Sequence, residues 1–221
     1  MPNNFPAAVL WDMDGTLVDS EPYWLLSESR LAADYGATWT AENGHELIGK
    51  SLYDSSALLR DRLSIRDLSV EQVIDRLTDD VVAHLRVSLP WRPGALELLM
   101  DLKKNGVRTA LVTMSMRRMA LAVIEQIPFQ AFDVVVGGDD VVRGKPHPEP
   151  YLKAAEMLGV DPRECIALED SKTGLASAEA AGTVAVGIPN IVPIPKAPGR
   201  IIIPTLSEMN TELLANLRPN V

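Results

Sequence analysis

Trp11-Asp12-Met13-Asp14-Gly15-Thr16-Leu17-Val18-Asp19-Ser20 follows the apolar run Ala7-Ala8-Val9-Leu10, and its reading governs that of the whole chain. An apolar run that stops abruptly at acids and a glycine predicts a buried strand delivering its last side chains to a loop. Side chains alternate along extended chain, so Asp12 and Asp14 are expected on the same side, roughly 7 Å apart, at the strand's carboxyl end. Open parallel sheets bind ligands at that end. Two carboxylates held there repel each other unless a cation or a proton offsets them. Taken alone, the pair also fits a plain cap of the following turn.

Further apolar, β-forming runs lie at residues 107–112, 134–136, 165–168 and 184–188, separated by segments of helical period. That alternation predicts an α/β fold, a Rossmann-like parallel sheet with helices packed on it. The helix at about 94–105 has Pro93 near its start, Leu98, Leu99 and Leu102 on one face, and Gly106 after its end. In a second, at about 171–181, Gly174, Ala178 and Ala181 share a face, which predicts close approach to the sheet. Residues 201–221 read as one more strand and a short helix.

The stretch 19–90 holds helical patterns and no convincing strand, so it reads as an inserted helical domain, with residues 1–18 and 91–221 forming the sheet domain. Its clearest helix opens with Ser69 and Gln72 spaced as a capping box and sets Val70, Val73, Ile74, Leu77, Val81 and Leu85 on one apolar face. The turn-rich segments 18–22 and 89–94 are the expected hinges.

Composition narrows the class. The 221 residues are 47% hydrophobic and 23% charged, values of a packed globular protein. A net charge of -9 argues against nucleic-acid and anionic-membrane partners, which need a basic surface. No run approaches the roughly 20 apolar residues of a membrane span, and residues 1–6 lack a signal-peptide pattern, so the cytoplasm is the expected compartment. The single cysteine, Cys165, lies in an apolar run and reads as a buried structural thiol.

Three more segments bear on the acidic pair. Val112-Thr113-Met114-Ser115 would present a hydroxyl and turn amides to an anion, although the same residues suit a helix cap. Gly144-Lys145-Pro146-His147-Pro148 pins a lysine in a proline-rich turn. Leu168-Glu169-Asp170-Ser171 places paired acids at a strand end, where they suit a hard cation with oxygen ligands or, equally, the cap of the next helix. His45, His84 and His147 have no metal-like spacing and receive no role.

In this order, each at the end of a successive strand, these elements resemble the haloacid dehalogenase superfamily of phosphohydrolases. Asp12-x-Asp14-Gly15-Thr16, Thr113, Lys145-Pro146 and Glu169-Asp170-Ser171-x-x-Gly174 match its four signatures, and the resemblance covers nearly the whole chain. The sequence is also similar to the group containing beta-phosphoglucomutase and the sugar-phosphate phosphatases, through Asp14-Gly-Thr-Leu-Val-Asp-Ser-Glu-Pro and Lys145-Pro-His-Pro. The resemblance implies a small helical cap at 19–90, Asp12 as nucleophile forming an aspartyl-phosphate, and Asp14 as general acid and base. It further implies magnesium held by Asp12, the Asp14 backbone carbonyl and Asp170, with Glu169 as a closer or outer contributor, and Lys145 and Thr113 holding the phosphoryl oxygens. Ser115 joins that group as a substrate contact.

The loop 47–52, with Gly49 and Lys50, resembles the family's cap specificity loop and also fits an ordinary interhelical turn. Glu21 and Trp24 on the first cap helix are candidates to face the cleft, packing being an equal reading for Trp24. The expected substrate is a small phosphate ester, a sugar or polyol phosphate, and the expected state a monomer or weak dimer. A dehalogenase would lack Asp14, and an inactive binding protein should have damaged at least one motif. A mutase needs a second cationic pocket, for which the cap offers Lys50 amid Trp24, Ile48 and Leu52, with Met116 after the second motif, so hydrolysis is expected over mutase activity.

Overall fold

Strand β1 (Ala8–Trp11) is buried along its whole length. Val9 and Trp11 enter one apolar layer while Ala8 and Leu10 enter the other, the alternation that an extended chain imposes. A computed structural model describes residues 5–198 and 200–217, so the outer ends of the expected sheet domain, 1–4 and 218–221, lie outside the described residues. The remaining strands are β2 (Arg108–Val112), β3 (Val134–Val136), β4 (Cys165–Glu169), β5 (Val184–Gly187) and β6 (Ile201–Ile202). They form one sheet in the order β3-β2-β1-β4-β5-β6, every pair parallel. The chain builds outward from β1 to β3, then returns to β4 on the other side of β1. That reversal opens a crevice at the carboxyl ends of β1 and β4, where ligands bind in open α/β sheets.

Between β1 and β2 come α1 (Glu21–Asp34), α2 (Ala41–His45), α3 (Leu52–Arg62) and α4 (Val70–Val87), followed by α5 (Ala95–Lys104). Later in the chain come α6 (Arg117–Ile124), α7 (Glu149–Leu158), α8 (Lys172–Ala180) and α9 (Thr211–Ala215). Leu98, Leu99 and Leu102 of α5 and Met119 and Val123 of α6 cover the Val9 and Trp11 face of the sheet. Tyr151, Ala154 and Leu158 of α7 with Leu175 and Ala178 of α8 cover the opposite face.

The capping box of α4 forms as the sequence predicts: Gln72 N donates to Ser69 Oγ (3.2 Å) and Ser69 N to Gln72 Oε1 (2.8 Å). Its apolar stripe is divided between two cores. Val73 and Leu77 pack with Leu31, Leu59 and Ile65 inside the inserted helices, whereas Val81 and Leu85 join the layer on the sheet. Arg118 of α6 adds ion pairs to Asp75 (2.8 Å) and Asp79 (3.2 Å) of the same helix. At the insert's root the two linkers run side by side, with Asp19 N donating to Pro90 O (2.8 Å) and Arg92 N to Leu17 O (3.0 Å).

Candidate active site

Asp12 is the first residue past β1, and its backbone N donates to Leu168 O (3.0 Å), which ties it to the end of β4. Lys145 Nζ donates to Asp12 Oδ1 (2.7 Å), Glu169 Oε1 (2.6 Å) and Val112 O (2.9 Å). Three acceptors use all three ammonium protons and fix the side chain. The Tyr151 ring, with its centroid 5.1 Å from Lys145 Nζ, lies beside it, and the Tyr151 hydroxyl donates to Glu169 Oε1 (2.7 Å). Burial works against the charged ammonium, but Asp12 and Glu169 outweigh it and hold the Lys145 pKa above its ordinary value.

Two glycines of the motifs make this crowding possible. A Cβ at Gly15 would lie 2.0 Å from Asp170 Oδ2, and the residue's φ of +84° is itself a region that favours glycine. A Cβ at Gly174, within α8, would lie 1.9 Å from the Glu169 carboxylate. Each glycine is the space into which a carboxylate fits.

Asp12, Glu169 and Asp170 each offer an oxygen within 4.8 Å of the others. Glu169 is well supplied with donors, since Ser171 Oγ also donates to its Oε2 (3.2 Å). Asp12 Oδ2 is buried without a hydrogen-bond partner, and Asp170 stands beside it. Burial, then the Glu169 charge, push the Asp12 pKa up to about 7, with Lys145 pulling the other way. Burial and the charges of Asp12 and Glu169 likewise raise Asp170. An orphaned oxygen within a cluster of three crowded carboxylates fits a hard divalent cation with oxygen ligands. The Asp14 carboxylate is not among the three.

Asp14 is occupied otherwise. Its Oδ2 accepts from Ser115 Oγ (2.7 Å) and Thr113 Oγ1 (3.1 Å), and its Oδ1 accepts from Ser20 Oγ and Trp24 Nε1 (3.4 Å). Thr113 and Ser115 therefore orient Asp14 as well as lining the cleft. Trp24 both touches Asp14 and packs on apolar neighbours, so the two readings of it from sequence coexist.

The opposite wall comes from the inserted helices. Gly49 and Lys50, in the turn between α2 and α3, line the cleft, and Gly49 O accepts from Thr173 Oγ1 of α8 (2.9 Å). Glu21 and Trp24 line it from α1. Burial, followed by the charges of Asp14, Glu28 and Asp19, pushes the Glu21 pKa up to about 8. The sequence reading missed Glu28, which also lines the cleft and is buried. Its signal was helical spacing, four residues beyond Trp24 and seven beyond Glu21 on the same face of α1. Tyr151 was missed too, and an aromatic in an amphipathic helix gives no signal beyond core. Arg117 and Arg118, close in sequence to the second motif, point to Asp140 and to Asp75 and Asp79.

Residues 6–182 match the haloacid dehalogenase-like hydrolase family. The chain is 35% identical over 176 residues to a phosphorylated carbohydrates phosphatase of Thermotoga maritima, covering 79% of this chain and 81% of that protein. It is 30% identical over 192 residues to hexitol phosphatase B of Escherichia coli K12, covering 86% and 85%. Among solved structures, CbbY from Rhodobacter sphaeroides in complex with xylulose-(1,5)bisphosphate superposes with a TM-score of 0.81 at 26% identity, covering 92% of this chain and 96% of that one.

Proposed function

The chain belongs to the haloacid dehalogenase-like hydrolases, and from that premise we propose that it is a magnesium-dependent phosphatase of a phosphorylated carbohydrate, working through an aspartyl-phosphate on Asp12. The observation that carries the reading is Asp12 itself, with one oxygen gripped by Lys145 and the other buried and unpartnered at the crevice of β1 and β4.

In this reading Asp12 attacks phosphorus, and the ester oxygen leaves with a proton from Asp14, which Thr113, Ser115 and Ser20 hold in place. Asp14 then takes a proton from water as the water attacks the acyl phosphate, which frees Asp12 and inorganic phosphate. Lys145 and Thr113 would steady the phosphoryl oxygens, Lys145 by its charge and by exchanging one of its present acceptors, Thr113 by turning its hydroxyl from Asp14 once phosphate binds. Asp12, Asp170 and the Asp14 backbone carbonyl would hold magnesium, with Glu169 supporting through Lys145. Bound magnesium would supply positive charge where carboxylates and phosphate meet. Residues 19–90 act as a cap that closes over the sheet domain of 1–18 and 91–221 and excludes water, with Glu21, Trp24, Gly49, Lys50 and Ser115 contacting substrate.

The names of the Thermotoga maritima and Escherichia coli relatives support a sugar or polyol phosphate. Mutase action is disfavoured because the cap contributes Glu21 and Glu28 to the cleft and one basic residue, Lys50, among the described residues. Every side chain the reaction needs comes from a single chain, as suits a monomer or weak dimer, and a small-metabolite phosphatase with one buried thiol suits the cytoplasm.

Phosphate release from hexose and hexitol monophosphates, with magnesium and after chelation, tests the reading. Release should need the metal and disappear in Asp12→Asn. Undiminished release from that variant, or after exhaustive chelation, would overturn it.

A further inference from the structure

Glu28 is the buried acid that the reaction does not use. Several acids of the inserted helices have cationic partners, as Asp80 does with Arg30 and Asp34 with Arg76. Glu28 is 7% exposed, and its hydrogen bond among the described residues is to Trp39 Nε1, which donates to Oε2 at 2.9 Å. No lysine, arginine or histidine among the described residues pairs with it, and Oε1 receives no donor from them. The carboxylate nevertheless lines the cleft. A Cβ at Gly44 would come within 3.2 Å of Oε2 and 2.9 Å of Leu25 Cδ1, so the turn of α2 is shaped around this side chain.

Burying a carboxylate with one neutral donor disfavours the fold, and no cation among the described residues offsets that cost. Burial, eased only in part by Trp39, pushes its pKa up to about 7. A group poised between acid and carboxylate can accept a hydrogen bond in one form and donate one in the other. A hydroxyl satisfies either form, since it is donor and acceptor at once.

Position supplies the length. Trp24 Nε1 is 3.4 Å from Asp14, and Glu28 lies one helical turn, about 6 Å, farther along α1. A group held by Glu28 is therefore several carbons from the phosphoryl group.

We propose that Glu28 reads the far end of the substrate, binding a hydroxyl of a polyhydroxylated chain or ring and, with Glu21, turning away compounds that carry a second anionic group. The inference rests on the phosphatase reading and deepens it. The substrate class is a monophosphate of a neutral polyol or sugar, long enough to span the cleft. Two-carbon phosphates fall short of Glu28, and sugar bisphosphates bring a second phosphate against two acids and one exposed lysine.

The test compares glucitol 6-phosphate with acetyl phosphate, which is too short to reach Glu28. Glu28→Ala should lower kcat/KM for glucitol 6-phosphate about ten- to hundredfold, mostly through KM, and leave acetyl phosphate within about twofold. Glu28→Gln, which keeps an acceptor for Trp39, guards against misfolding. It should lose less on glucitol 6-phosphate and accept fructose 1,6-bisphosphate several times better than the parent. Calorimetric binding of glucitol 6-phosphate to the parent and to Glu28→Ala gives a readout independent of turnover. Equal losses on both substrates, no loss on glucitol 6-phosphate, or unchanged calorimetric affinity would overturn the proposal. So would a Glu28-dependent preference for glucosamine 6-phosphate over glucose 6-phosphate, which would make the far end cationic. Binding that depends on Glu28 with no phosphate released from any ester would overturn the phosphatase reading instead.

Discussion

The sheet wall of the cleft carries four acids, Asp12, Asp14, Glu169 and Asp170, and surrounds them with Lys145, the Tyr151 hydroxyl and the hydroxyls of Ser20, Thr113, Ser115 and Ser171. The helical wall carries two, Glu21 and Glu28, and provides Glu28 with Trp39 Nε1. A dense network holds Asp14, Lys145 and Glu169 in place, as the proposed phosphoryl chemistry requires, and it leaves little room for substitution. A sparse wall tolerates exchange of side chains. Chemistry on one wall and selection on the other is the division that the proposed function assigns to them, and substitutions can break it or sharpen it.

The largest effect is expected from Asp12→Asn on the sheet wall. The amide keeps the shape while Lys145 retains Glu169 and Val112 O, so the fold should survive and turnover should fall by about 10⁴-fold or more. Phosphate release beside a circular-dichroism melt checks both halves. A variant that lost its fold would show that Asp12 is structural, and one that kept its turnover would show that it is not the nucleophile.

Next comes Gly174→Ala. Alanine improves helix propensity by about 1 kcal/mol over glycine, so propensity alone predicts a more stable protein. The contact predicts the opposite, because the new Cβ would meet the Glu169 carboxylate at 1.9 Å and displace it. Glu169 positions Lys145, and Lys145 grips Asp12, so kcat should fall about 10- to 100-fold. Parental kcat would mean that Glu169 moves without disturbing the nucleophile.

The same division explains what could be read from the chain. The sheet wall is assembled from short peptides at strand ends, and the requirements behind Gly15, Lys145 and Glu169-Asp170 are local, so each leaves its mark in a few adjacent residues. The strands were legible for the same reason, since burial on both faces demands continuous apolar runs. The helical wall is assembled from one face of α1 and a turn, where the only mark is a period of three to four residues. Glu21 and Trp24 stand beside the first motif, whereas Glu28 is a turn farther on, among surface-like residues, and its meaning depends on Trp39 and Gly44 arriving from elsewhere. The split of the α4 stripe between two cores was hidden likewise, because periodicity marks an apolar face without saying what covers it.

The pH dependence of stability should separate the walls next. Glu28 has a folded pKa of about 7 against an ordinary 4.5, so between those values the folded state holds a proton that the unfolded chain has released. Stability is then highest below about pH 4.5 and falls as pH rises toward 7, by on the order of 1–3 kcal/mol for this group. Asp12, raised to about 7, acts in the same direction on the sheet wall. Magnesium should relieve the Asp12 share and leave the Glu28 share, which Glu28→Gln should remove. Denaturant unfolding at pH 5.5 and 8 with saturating magnesium measures it, and an identical fall in parent and variant would show that Glu28 is no buried, unpaired acid.

The smallest effect is expected where the walls touch. Thr173 Oγ1 donates to Gly49 O at 2.9 Å, joining α8 of the sheet domain to the turn that also carries Lys50. Thr173→Val keeps the shape and removes the donor. The bond is open to solvent, with Gly49 exposed and Thr173 half-buried, so water replaces it and the net cost should stay near 0.5–1.5 kcal/mol. Thr173 makes no hydrogen bond to Asp12, Asp14 or Lys145, and its bond ties the helical wall to the sheet wall rather than holding any reacting atom. The loss should therefore appear as a two- to tenfold rise in KM for glucitol 6-phosphate, with kcat within about twofold of the parent. Steady-state kinetics distinguishes the cases: a kcat reduced more than tenfold with KM unchanged would put Thr173 among the groups that serve the chemical step, and the separation of a chemical wall from a selecting wall would fail at the point where they meet.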